Sequence, residues 1–225
     1  MKSSPKEDRC IYCGTDKNMT DDHVPPKLLF PEPRPSDLFT VPSCRKCNAS
    51  FQKDDEYFRG MLASCESVYY DKNASKVNKK FLSGLNRPEA KGFKRSFQDS
   101  IRMIDLVSDG GIYVGKTPAL LVDVERFKAT AERITRGLFY KIRGYSIPEG
   151  YQTDLFLKHG YFQLSEEFFN AFVPYWQPLD SIGNDIFKYR YAACIDSDVN
   201  MGLIFTFYDK LFFHIIISPI KKQGS

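Results

Sequence analysis

No stretch of this 225-residue sequence approaches the roughly 18 consecutive apolar positions that a membrane-spanning helix needs. The first eight residues, Met1 to Asp8, are polar and lack the apolar core of an export signal. A strong charge excess is missing as well, since 32 basic side chains face 28 acidic ones for a net charge of +4, too little to define a partner by itself. Internal repeats, low-complexity tracts and a helix-turn-helix pattern do not stand out by inspection. These absences point to a soluble, cytoplasmic chain with no membrane partner. Any sequence preference on nucleic acid has to come from something other than a standard base-reading helix.

What is present is ample material for a core, 42% hydrophobic residues in a length that suits one domain with an appendage or two modest ones. The positive charge is unevenly spread. Residues 1–60 carry 10 basic and 10 acidic side chains, residues 61–100 carry 8 and 4, and the last 75 carry 6 and 8. A basic run that includes Lys76, Lys79 and Lys80 therefore follows the cysteine-rich start, where it can hold a polyanion or simply face water. Composition divides the chain into an N-terminal module over 1–64, a basic helical connector over 65–100, and an α+β accessory region over 101–225.

Periodicity fills in the elements. Phe51, Phe58, Met61 and Leu62 fall on one face of a helix over 48–63, while the prolines from Pro25 to Pro42 confine the preceding stretch to loops and short strands. Val124, Phe127, Ala131, Ile134, Leu138 and Ile142 mark a second helix ending near Gly144, and Phe97, Ile101 and Ile104 suggest another. The aromatic and β-branched segments 188–195, 203–208 and 211–218 read as an antiparallel meander of about three strands.

Six cysteines in a small exported protein would suggest disulfides, but four of these form two tight pairs in a chain lacking an export signal. Cys10-Ile11-Tyr12-Cys13 and Cys44-Arg45-Lys46-Cys47 are C-x-x-C knuckles able to close on one ion. Four thiolates favour tetrahedral Zn²⁺ and leave no place for water, so the expected role is structural. Cys65 and Cys194 lie outside the pairs and read as core residues.

Between the knuckles stands Asp21-Asp22-His23-Val24-Pro25-Pro26-Lys27, and Asn48 follows the second knuckle directly. With C-x-x-C, Asp-His-Val-x-Pro, C-x-x-C-Asn and the helix after it, residues 10 to about 60 resemble the HNH endonuclease family. The resemblance implies a zinc-stapled ββα-metal module and a metal-dependent nuclease that hydrolyses phosphodiester bonds. It also implies that His23 is the general base and that Asp22 and Asn48 hold a catalytic Mg²⁺ or Mn²⁺. Asp21, Asp55 and Glu56 are secondary ligand candidates. The family's middle asparagine has no counterpart between His23 and Cys44, so the group that braces His23 is unassigned.

Each residue also has a plainer reading. Asp22 and His23 fit a surface turn before the proline pair, Asn48 fits a helix N-cap, and Lys27 fits an exposed lysine rather than a phosphate contact. His159 and His214 read as structural. Arg133 and Arg136 fit a solvated helix face, pairing with Glu132 and its neighbours, or a phosphate contact, and Phe168-Phe169, Tyr175-Trp176 and Tyr189-Arg190-Tyr191 fit base stacking, a partner surface or a core. Three functions follow. The first is a nuclease acting on nucleic acid, DNA ahead of RNA, in a phage, mobile element or prokaryotic defence system. The second is a non-catalytic nucleic-acid-binding module, and the third is an interaction scaffold that binds a protein partner or forms a homodimer through the C-terminal region.

Overall fold

A computed structural model describes residues 9–157 and 173–220 of the chain. Its architecture is α+β, and none of its described helices is long and apolar enough to cross a membrane. The chain opens with a two-stranded antiparallel hairpin, β1 (Met19–Val24) and β2 (Phe39–Cys44), in which Asp22 pairs with Val41 and His23 with Thr40. The proline-rich connection between them holds a single 3-10 turn at Lys27–Leu29. It docks on the far sheet through the Tyr208 hydroxyl, which donates to the Leu29 carbonyl at 3.3 Å. Asp37 adds a second anchor by accepting from the Gly183 amide at 2.8 Å.

Helix α1 (Arg45–Ser50) starts directly from β2, and α2 (Gln52–Ala63) follows after a single helical-region residue, Phe51. The helix thus begins three residues before the position that periodicity suggests. Cys44 is its N-cap, accepting a hydrogen bond from the Cys47 amide at 3.4 Å, so Asn48 lies inside the first helix and caps nothing. Helices α3 (Lys72–Gly84) and α4 (Lys91–Asp99) form the basic connector and share a satellite core with α2, built on Tyr57, Met61, Phe81, Leu85 and Phe97.

One expected helix holds only at Phe97 and gives way to a strand. Helix α4 stops at Asp99, where the Ser100 hydroxyl donates to the Phe97 carbonyl at 2.6 Å. Ile101 and Ile104 belong to β3 (Ile101–Val107), which pairs antiparallel with β4 (Tyr113–Leu120). The three-residue spacing that imitates a helical face is overridden by cross-strand pairing and by β-favouring residues.

Helix α5 (Val124–Arg143) has the expected extent, with Asp123 as N-cap and Gly144 in the left-handed conformation at its end. The C-terminal meander contains the three expected strands, β7 (Phe187–Ala193), β8 (Met201–Phe207) and β9 (Leu211–Pro219). β5 (Tyr151–Leu157) and β6 (Asp180–Ile182) extend it to five strands in the order β5-β9-β8-β7-β6, antiparallel throughout. The central strand β8 is buried along its whole length, as a strand covered on both faces must be.

The main core runs across the compositional boundary. Val24, Val41 and Phe58 from the N-terminal segment pack in one cluster with Ile134 and Leu138 of α5 and with Phe205 and Phe213 of the sheet. Helix α5 joins the two parts where Gly137 lies against β1. A Cβ added there would stand 2.5 Å from both methyl groups of Val24, so only glycine permits this approach. One turn earlier on the same helix face is Arg133.

Candidate functional site

The two knuckles meet. The Sγ atoms of Cys10, Cys13, Cys44 and Cys47 all lie within 4.8 Å of one another, and those of Cys13 and Cys44 are 3.7 Å apart. Four sulfurs at zinc–thiolate bond length around one ion are separated by about 3.8 Å, so this donor set fits a single Zn²⁺ with little adjustment. Local backbone builds the site. The Gly14 amide bonds the Cys10 carbonyl at 2.8 Å to turn the first knuckle. The Cys47 amide beside the Cys44 sulfur draws that thiol down to about 7, toward the thiolate that a metal needs. Neither Cys65 nor Cys194 belongs to the cluster; Cys65 is half-buried against the main core, whereas Cys194 is exposed and is not the core residue the sequence suggests.

The hairpin presents two different faces because successive strand residues point to opposite sides. Asp22 and Val24 turn inward and are buried, whereas Asp21 and His23 face outward, Asp21 exposed and His23 half-buried. Asn48 stands beside β1, its side-chain amide donating to the Asp21 backbone carbonyl at 3.0 Å. That contact uses the amide nitrogen and leaves the amide oxygen as a potential ligand. Burial, reinforced by the Lys27 ammonium, holds the His23 imidazole below the ordinary histidine range and so favours its neutral form near pH 7. Lys27 is exposed, as are Lys76, Lys79 and Lys80 on α3, where Lys80 pairs with Glu32 at 3.1 Å.

Asp22 sits in a closed cluster that sequence reasoning missed. Its carboxylate accepts from the Tyr12 hydroxyl at 2.7 Å and from Arg133 Nη2 at 3.2 Å, and Arg133 Nε lies 3.0 Å away. Arg133 also pairs with Asp55 of α2 at 2.5 Å and stacks its guanidinium over the Phe51 ring, 4.6 Å from its centroid. Phe51 in turn meets Tyr12 edge-on. Asp22 and Arg133 are each only 4% exposed. Burial opposes the Arg133 charge, but Asp55 and Asp22 outweigh it and raise its pKa. Burial and the neighbouring carboxylate push the Tyr12 phenol far up, so it remains a donor.

The expectation of Arg133 as a solvated or phosphate-contacting residue is therefore overturned, because it is the cation of a buried ion pair. Arg136, one turn nearer the surface, pairs with Glu132 at 3.0 Å. The available signal for this cluster was three charged residues, Asp22, Asp55 and Arg133, at inward positions of their elements.

The outer face offers Asp21 and His23, Asn48 stands against the same strand, and the inner face offers Asp22 already paired with Arg133. Among the described residues the four cysteines form the only cluster of three or more His, Cys, Asp or Glu donors close enough to share an ion. A Mg²⁺-like ion takes as few as one or two protein oxygens and completes its shell with water, so Asn48 with one aspartate is chemically sufficient. His214 lies on β9 opposite Ile204, and Tyr189 is buried in the sheet. His159 and Phe168-Phe169 lie outside the described residues. Comparison with protein-family models, curated proteins and solved structures finds no match to this chain.

Proposed function

We propose that the chain is a metal-dependent HNH-type nuclease that hydrolyses phosphodiester bonds in nucleic acid, DNA ahead of RNA. The observation that carries this reading is the outer face of β1, where the half-buried His23, biased toward its neutral form, stands one residue after Asp22 and next but one to Asp21, with Asn48 against the same strand. A neutral imidazole reachable from solvent is suited to take a proton from water attacking a phosphodiester. Asn48 and the Asp21-Asp22 pair are the oxygen donors for Mg²⁺ or Mn²⁺, which when bound supplies Lewis-acid stabilisation of charge on the phosphate and the leaving oxygen. The knuckles act mechanically. Cys47 and Asn48 are neighbours on α1, so a zinc bound to four thiolates clamps the asparagine against β1. Lys27, Lys76 and Lys79 are exposed cations available to a phosphate backbone, as is Lys80 once it leaves Glu32.

A second reading, a zinc-stapled module without catalysis, is favoured by one specific contact. Asp22 is the ligand that the resemblance implies, yet its carboxylate already accepts from Tyr12 and Arg133. Under the nuclease reading either an incoming ion displaces Arg133 from Asp22 or the exposed Asp21 serves in its place.

The experiment is cleavage of supercoiled plasmid, single-stranded DNA and RNA with Mg²⁺ or Mn²⁺, comparing the native chain with His23→Ala, Asp21→Asn, Asp22→Asn and Asn48→Ala at equal zinc content. The expected result is cutting that falls by about a hundredfold or more in His23→Ala. Equal activity in the native chain and His23→Ala, or none in either on any substrate, sinks the nuclease reading in favour of the non-catalytic one.

A further inference from the structure

Between α4 and α5 the chain runs outward as the β3–β4 ribbon, every residue of β3 being exposed. Ten of the nineteen exposed large hydrophobic residues among the described residues fall within the 22 positions from Ile101 to Val122. A two-stranded ribbon has little stability alone in water, and an apolar patch concentrated in this way marks a surface that is covered in use.

Both faces of the ribbon are apolar but they differ in charge, since the face of Ile104 and Leu106 carries Arg102 alone. Strand alternation puts Ile101, Met103, Asp105 and Val107 on one side, and the register adds Pro118 opposite Met103, Lys116 opposite Asp105 and Tyr113 opposite Val107. Met103 is 60% and Tyr113 59% exposed. At the middle of this apolar face stands one charge of each sign, Asp105 on β3 and Lys116 on β4. That layout is self-complementary. When two such faces stack about a two-fold axis running along the ribbon, each β3 lies over the other copy's β4. Asp105 then meets the partner's Lys116, and the apolar positions on either side meet apolar positions. In such an isologous contact each charge of the pair meets its opposite by symmetry.

We infer that the β3–β4 ribbon is a dimerisation arm and that its occupant is the same face of a second copy of this chain. The inference does not depend on the nuclease reading. The chain should sediment as a dimer at about 100 µM, a concentration at which a dimer with a dissociation constant of about 1 µM is mostly formed. Asp105→Lys makes both central charges of the face positive, and Lys116→Asp makes both negative. Each variant alone should be monomeric, and mixing the two should give a one-to-one heterodimer, which also shows that both ribbons remain folded. Met103→Ser leaves the charges intact and should weaken native dimerisation by about tenfold or more through lost apolar burial. A native chain that is monomeric at that concentration, charge variants that stay dimeric alone, or a mixture that stays monomeric overturns the inference.

Discussion

Arg133→Met removes the one cation from a cluster that holds two buried carboxylates. The side chains of Arg133, Asp22 and Asp55 are 4%, 5% and 10% exposed, with Arg133 within 3.0 Å of Asp22 and 2.5 Å of Asp55. Deleting one partner of a buried pair costs about 3–5 kcal/mol. Neutralising an abandoned carboxyl by protonation at pH 7 costs about 4 kcal/mol if its unfolded pKa is ordinary. With two acids left behind, the expected loss at pH 8 is near the top of that range, about 5 kcal/mol, measured by urea unfolding of the zinc-loaded chain.

The sign of the pH dependence tests the cause. Burial pushes the Asp55 carboxyl up to about 6 even with Arg133 in place, and losing the cation raises it further. A carboxyl whose folded pKa is raised contributes stability that is present below its unfolded value and lost as pH rises through the folded one. The deficit of Arg133→Met should therefore shrink from pH 8 to pH 5. The triple variant with Asp22→Asn, Asp55→Asn and Arg133→Met should recover most of the loss, because no buried charge is then uncompensated. A deficit at pH 8 under about 1 kcal/mol, typical of an exposed pair, or one independent of pH, refutes the reasoning.

Three further outcomes are expected. The chain should hold one zinc, unchanged in Cys65→Ser and Cys194→Ser; Cys44→Ser should release it and lower the melting temperature, as metal analysis and thermal unfolding would read, and retention of zinc in Cys44→Ser would contradict the four-cysteine site. The acid limb of any cleavage–pH profile should lie below the ordinary histidine value because burial and Lys27 depress His23, and Lys27→Gln should move the limb upward; an unchanged limb would remove Lys27 from the account. Gly137→Ala should cost about 1–3 kcal/mol by forcing a methyl into Val24, and much less in a Val24→Ala background, a coupling that a double-mutant cycle measures.

Several features were legible in the chain itself because they depend on local spacing. The two C-x-x-C knuckles made a common metal site the best expectation, and the structure brings their four sulfurs together. The apolar repeat from Val124 to Ile142 located α5 and its end at Gly144, and the aromatic runs located the three central strands of the sheet. Other features required the folded chain. Asp21, Asp22 and His23 are adjacent in sequence and look alike as candidates, but the register of β1 against β2 sends Asp22 inward and His23 outward. The α5 crossing at Gly137 then brings Arg133 to Asp22 across 111 positions of sequence. The compositional break near residue 64 is likewise real as composition, yet it does not divide the core, because Val24, Phe58 and Leu138 belong to one buried cluster. Spacing along the chain reports which residues can share a helix face or a metal. Which charge is buried, and which cation neutralises it, is decided by long-range packing, where contact depends on how whole elements cross rather than on any local pattern.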